Sequence, residues 1–215
     1  TYQLADDVLV YATYAKTFKP GGVNLNGVPN DAAGNPILSV GSVLPESVNH
    51  YEGGLKTQFF DRAATFNVSV FRTDISNYQA LVVNGQLGVV RGYLANADHV
   101  RTQGIEADLS VEVGDRLTAY ISGAYTDATY RRFVDAPCPP ELSGGGTGPT
   151  IGAPGAPGTN SPANCDISGQ RLPGVSKFAL AAGFEANTPA NLLGEEGEVY
   201  FGADGTYRTN FSSNP

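Results

Sequence analysis

The sequence contains no tryptophan and no methionine, and only two cysteines and two histidines in 215 residues. Two cysteines are too few for a disulfide scaffold. With no CxxC spacing and no His/Cys cluster, the sequence offers no structural zinc site. Charge is scarce: Asp, Glu, Lys and Arg make up 16% of the residues, against about 25% in an average soluble domain. The 13 basic and 21 acidic residues leave a net charge of −8 and a pI near 4.6. That balance argues against a nucleic-acid partner, because phosphate binding needs a basic face. No run of about 18 uninterrupted apolar residues occurs, which rules out an ordinary membrane-spanning helix. There is no initiating methionine, and Thr1-Tyr2 leads almost directly into a strand-like run, so the chain reads as a piece of something longer. A signal peptide is not visible, and in a fragment that says nothing about secretion.

What is abundant is turn-forming and strand-forming. Twenty-seven glycines, 14 prolines, 11 tyrosines and 10 phenylalanines favour a turn-rich all-β chain. The dominant signal is period-2 alternation, in which successive side chains point to opposite faces of a strand. Tyr51, Leu55 and Phe59 oppose Glu52, Lys56 and Gln58. Ala64, Phe66, Val68 and Val70 alternate with Thr65, Asn67, Ser69 and Phe71. The rhythm returns at Ile105–Val113, Leu117–Tyr125, Phe178–Phe184 and Val199–Tyr207, and Val8–Thr17 is also strand-like. This gives about seven strands, each with a regular core of roughly the 9–11 residues that a tilted strand needs to cross a bilayer.

The connections alternate in length. Asp61-Arg62 and Gly114-Asp115 read as tight turns, and Thr188–Gly197 as a moderate connection. Lys19–Pro45 and Val134–Gly169 are long, and Asn84-Gly85 marks a middle loop. Between Ser143 and Gly158, seven glycines and three prolines fill ten of sixteen positions, a composition that cannot build a core of its own. Cys138 and Cys165 bracket this tract. A disulfide there would constrain the unfolded loop by about 3 kcal/mol on the chain-entropy model; the alternative is two free thiols.

Alternation alone does not separate a barrel in lipid from a soluble sandwich. Glu52, Lys56, Glu106, Asp108, Glu112 and Arg208 suit either solvent or a wet lumen. Strand length and loop asymmetry favour an antiparallel up-and-down transmembrane β-barrel segment with short periplasmic turns and long external loops. Small residues on the apolar faces (Gly53, Ala107, Ala119, Ala182, Ala203) point the same way, since lipid adapts to any surface and a sandwich core needs bulk. Tyr51, Phe59, Phe60, Tyr125, Phe201 and Tyr207 then form interface girdles.

Four segments, in order, carry a resemblance. They are Val10-Tyr11-Ala12-Thr13-Tyr14-Ala15-Lys16-Thr17-Phe18-Lys19-Pro20-Gly21-Gly22; Pro45-Glu46-Ser47-Val48-Asn49-His50-Tyr51-Glu52-Gly53-Gly54-Leu55-Lys56; Phe71-Arg72-Thr73-Asp74-Ile75-Ser76-Asn77-Tyr78-Gln79; and Asn96-Ala97 followed by Gln103-Gly104-Ile105-Glu106-Ala107. Together they resemble the barrel of TonB-dependent outer-membrane receptors over about Val8 to Asp127; the remainder agrees in strand rhythm. The resemblance places residues 1–215 within a partial barrel, with no plug domain, no TonB-contacting box and no closing strand, and 134–169 as a long external loop. It implies uptake of a scarce nutrient across the Gram-negative outer membrane, with a ferric siderophore as the leading ligand and cobalamin, haem or a carbohydrate as others. It also implies an energy-coupling TonB partner acting through the plug, and neighbouring lipid and lipopolysaccharide.

No cofactor, metal site or catalytic set is expected. Glu106 and Asp108 share a strand face, but two solvated lumen charges account for them. His50 and His99 lack a nucleophile elbow, and Gly144-Gly145-Gly146 is not followed by the Lys-Ser/Thr of a phosphate loop. Acidic residues crowd the turn end, whereas Lys19, Arg91, Arg101, Arg131, Arg132 and Arg171 stand at the loop end, where they could steer an anionic ligand or pair with lipopolysaccharide. Tyr78, Arg91 and Tyr93, beside the middle loop, are the candidate ligand contacts. A passive porin-like channel and a soluble β-sandwich binding module are the rival readings.

Overall fold

The computed structural model describes residues 1–25, 28, 35–36, 38–84, 91–137, 150–151, 164–192 and 194–213. Its strands are β1 (Tyr2–Ala5), β2 (Val8–Lys19), β3 (Gly22–Val23), β4 (Ser42–Val43), β5 (Glu46–Phe59), β6 (Ala64–Asn84), β7 (Arg91–Val113), β8 (Leu117–Arg132), β9 (Ala136–Pro137), β10 (Thr150–Ile151), β11 (Asn164–Cys165), β12 (Phe178–Leu192) and β13 (Glu195–Arg208). Eight of them form one antiparallel sheet in the order β1-β2-β5-β6-β7-β8-β12-β13. Each of the seven long strands pairs with its sequence neighbours, the up-and-down pattern expected. The sheet is open, with β1 and β13 as its edges. The small ladders β3–β4 and β10–β11–β9 lie in the long connections.

The strands exceed the lengths read from alternation: β6 has 21 residues and β7 has 23. Their extra length lies beyond the period-2 cores, where Leu81, Val82 and Tyr93 still favour extended backbone. Thr188–Gly197 is not a moderate connection. Pairing continues through Leu192↔Glu195, and Gly194, at φ 89°, takes the left-handed conformation of a tight turn.

The register carries each apolar face across the sheet. Val10, Leu55, Val68, Ala107, Gly123, Leu180 and Tyr207 lie on one rung, and directly opposed residues point to the same side. Large apolar residues on this face are exposed, among them Val70, Ile105, Leu180 and Tyr207. At the short-turn end, Phe60, Asp61 and Arg62 are all left-handed (φ 56°, 54° and 70°), an uncommon run for non-glycine residues. Arg62 Nε donates to Asp7 Oδ1 at 3.2 Å, tying this turn to the one before β2.

At the other end the fold changes character. Below Asn77, the odd residues of β6 and the even residues of β7 face the polar side. Asn77 is left-handed (φ 56°), and pairing resumes at Tyr78↔Ala97 with the two strands' sides exchanged. Ala80, Val82 and Ala97 therefore join Val100, Ala128 and Tyr130 in a buried core with Phe133, Ala136, Ile167 and Leu172.

Candidate functional site

The polar face is concave, with a depression of about 690 Å3 lined by Tyr11, Glu52, Lys56, Asn67, Ser69, Glu106, Asp108, Ser122, Thr206 and Arg208 among others. Alternation puts all of these on one side, as the sequence implied for Glu52, Lys56, Glu106, Asp108 and Arg208. Tyr11 donates to Glu52 Oε1, and His50 stands 2.9 Å from Thr73 Oγ1 and 3.3 Å from Glu52 Oε2. Asn67 Nδ2 donates to Asp108 at 2.8 Å. No group of three or more His, Cys, Asp or Glu side chains that could hold a metal occurs among the described residues.

The long-loop end is built on the buried core around Tyr130. The two roots of the connection between β8 and β12 are laced together: Ile167 N donates to Phe133 O, Phe133 N to Ser168 Oγ, Gly169 N to Tyr130 O, and Leu172 N to Ala128 O. Val100, Ala128 and Tyr130 share the polar side of the sheet, so these roots fold over the concave face at its mouth. The connection between β2 and β5 packs on the opposite side of the β6–β7 extension. Asn24 clamps the backbone of Leu94 from both directions, Asn96 holds Leu44 and Asn77, and Gln79 Nε2 reaches Pro20 O and Leu44 O. Buried Glu46 accepts from Gln79 N at 2.7 Å and from Lys19 at 3.4 Å.

The structure brings Tyr78 and Tyr93 together against this core. Tyr78 meets Tyr130 edge-on, with centroids 6.4 Å apart. Burial pushes the Tyr93 hydroxyl up to about 12, and burial and then the Glu46 charge raise that of Tyr78. Arg91 opens β7 opposite Asn84, at the tip of the extension. Both tyrosines thus have a packing part that the sequence did not disclose. Cys138 lies outside the described residues, so the expected disulfide does too. The anchors Phe133, Ile167 and Leu172 carry little signal in the sequence, where they are isolated large apolar residues flanking a Gly/Pro tract.

Comparison with known proteins places this geometry. The model of the TonB dependent receptor-like β-barrel matches residues 1–215. The chain belongs to that family. A curated relative, the ferric-pyoverdine M114 receptor PbuA of Pseudomonas sp. (strain M114), is 26% identical over 138 residues, or 63% of this chain and 15% of that protein. Among solved structures, the ferric yersiniabactin uptake receptor FyuA from Yersinia pestis is matched over 95% of this chain and 28% of its own at a TM-score of 0.54 and 17% identity. The siderophore receptor PiuA from Acinetobacter baumannii gives 95%, 28%, 0.55 and 16%. The chain thus spans under a third of the length of these relatives. TonB-dependent receptors are transporters of the Gram-negative outer membrane, not enzymes.

As a piece of a TonB-dependent barrel wall, the apolar face is the lipid face and the concave polar face lines the lumen. The lipid face ends externally in an aromatic level: Tyr14 against Tyr51 (5.2 Å) and Tyr125 against Phe178 (5.0 Å). At the turn end, Phe59 meets Phe60 (5.2 Å) and Phe184 meets Phe201 (5.7 Å). Beyond the external aromatics, still on the outward side, Asp74 accepts from Arg72 Nε at 2.7 Å and Arg101 Nε at 2.8 Å, with His99 Nε2 at 3.0 Å. Burial alone would raise the Asp74 pKa; the bonds from Arg72, Arg101 and His99 outweigh it and hold the carboxyl at about 2.

Proposed function

We propose that the chain is part of an outer-membrane active-transport receptor that binds and imports a ferric siderophore, using energy from an inner-membrane TonB system through a plug domain elsewhere in the protein. The observation that carries this reading is the family match over residues 1–215 together with the likeness to a ferric-pyoverdine receptor. The geometry supports it. The roots of the 134–169 external loop fold over the mouth, and the β6–β7 extension carrying Tyr78, Arg91 and Tyr93 stands beside them. In this reading Arg91 contacts the anionic ligand directly, while Tyr78 and Tyr93 hold the platform that presents it.

Two further parts of the proposal concern the surroundings. The Arg72–Asp74–Arg101 cluster lies at headgroup level, where its arginines meet lipopolysaccharide phosphates. A Cys138–Cys165 disulfide closes the Gly/Pro tract; Ala136↔Cys165 pairing already brings the chain just ahead of Cys138 alongside Cys165.

The test is uptake of radio-iron by the complete receptor in a Gram-negative host stripped of its own siderophore receptors. Ferric pyoverdine, yersiniabactin, alcaligin and catecholate complexes are supplied in turn. Energy-dependent accumulation of at least one, abolished when TonB is deleted, is the expected result. Passage of small solutes regardless of TonB would favour the porin-like alternative instead.

A further inference from the structure

The inner wall has a low place, made by small residues and by a ring laid flat on the glycine that faces it. Tyr11 lies directly across from Gly54, and its ring occupies the space where a Cβ on that glycine would be. The Tyr120 ring lies 2.7 Å from the corresponding point on Gly183, and the Phe71 ring 2.9 Å from that on Gly104. These pairs too are directly opposed in the ladder. Each pair joins two strands connected at the external end: β2 with β5, β6 with β7, and β8 with β12. Three inward aromatics are thus folded flat onto facing glycines instead of standing into the lumen, a packing that also pins register.

Between these rings run two rungs of small or polar residues. One crosses Gly54, Ser69, Glu106, Ala124 and Ala179. The next crosses Asn67, Asp108, Ser122, Ala181 and Thr206. They form the floor of the depression on the concave face. Glu52, Glu106 and Asp108 supply acceptors there, and Lys56 and Arg208 supply donors.

We infer that this groove is the route by which a hydrated polar ligand passes the middle of the lumen, sliding along this sector of the wall. The inference rests on the import reading above. Its chemistry suits a solute rich in both donors and acceptors, because passage needs many weak contacts and no deep one. A Cβ at Gly54 would push the Tyr11 ring out into the groove, and one at Gly183 would lift the Tyr120 ring beside the groove's turn-side border. Gly104 is a poorer probe, since a Cβ there also collides with the Tyr125 backbone oxygen.

The test uses the complete receptor and the ferric siderophore it accumulates best among the four complexes. First, Ser122→Cys and Ala181→Cys, in a background with Cys138 and Cys165 replaced by Ser, are exposed to a water-soluble maleimide. Both are expected to react; refusal at both would mean the groove is filled with protein and would overturn the route. Second, Gly54→Ala, Gly183→Ala and Ala181→Phe are expected to cut uptake severalfold, with ligand binding at the cell surface and heat-modifiable gel migration unchanged. Removing the displaced ring, as in Gly54→Ala with Tyr11→Ala, should restore uptake. Unchanged uptake in all three single variants would overturn the route and leave the import reading standing. If the native receptor accumulates none of the complexes, the import reading falls, and the route with it.

Discussion

The wall below Asn77 and the extension above it are the same β-sheet stabilised in two different ways. Below, a residue is held by its ladder bonds and by lipid or water on its two sides, and side chains as large as Val70, Ile105 and Phe201 stay exposed. Small residues at Gly53, Ala107 and Ala203 cost little there, since lipid fills what they leave. Above, the buried apolar residues gather in one core: among the described residues, all of them except Val43 and Ala64 belong to it. Side-chain clamps such as Asn24 and Asn96 cover the other side of the extension. A membrane wall can therefore do without a core, but a wall that continues into water must build one, and the roots of a loop supply the missing layer.

The contrast is tested most severely at the core. Phe133→Ala removes a side chain that is 2% exposed and should cost about 3–5 kcal/mol. The loss should be confined: in hydrogen exchange of the complete receptor, amides of Tyr78–Val83 and Gly92–Ala97 lose protection while those around Val68 keep theirs. Loss spreading to Val68 would mean the two regions are one cooperative unit. Next in size, Leu55→Arg on the lipid face should cost about 2–4 kcal/mol in unfolding from bilayers. The same change at Thr65, on the lumen side, should cost far less, and equal costs would contradict the assignment of faces.

The smallest effect concerns Asp74. Its pKa is depressed in the folded protein, so its contribution is present above the ordinary carboxylate value of 3.8 and lost as pH falls toward about 2. Lying beyond the apolar band and partly screened, the cluster should contribute under about 1 kcal/mol. Local opening near Arg101 should increase over that acid window in the native receptor, and Asp74→Asn should flatten the dependence.

Much of the spanning wall was legible because alternation is a direct print of two-sidedness. Leu55, Val68 and Ala107 land on one rung as their spacing implied, and Glu52, Lys56 and Glu106 land opposite. The turns at Asp61-Arg62 and Gly114-Asp115 were equally plain. The extension was not, because its pattern changes phase at Asn77, and period-2 reading carries no information about which side a strand resumes on. For that reason Tyr78 and Tyr93 read as surface residues beside a loop. Thr188–Gly197 misled for a different reason: Pro189 and Gly194 look like breakers, yet an edge-side proline and a left-handed glycine fit a hairpin. The mouth's anchors depend on contacts such as those of Phe133 with Ile167 and Tyr130 with Gly169, far apart in sequence and without local signature.

The exchange of sides at Asn77 also fixes how deep the barrel rides. Had the strands kept phase, Tyr78, Ala80 and Val82 would have resumed the outward apolar stripe of Ala64, Phe66, Val68 and Val70. A barrel with such a second stripe could trade one band for the other and ride at either of two heights, since a few ångströms of hydrophobic mismatch cost only fractions of a kcal/mol each. Arg72 and Asp74 interrupt the stripe, and the turn of Asn77 hides Ala80 and Val82 inside the protein. The vertical register of the receptor in its membrane is thereby written into one backbone angle.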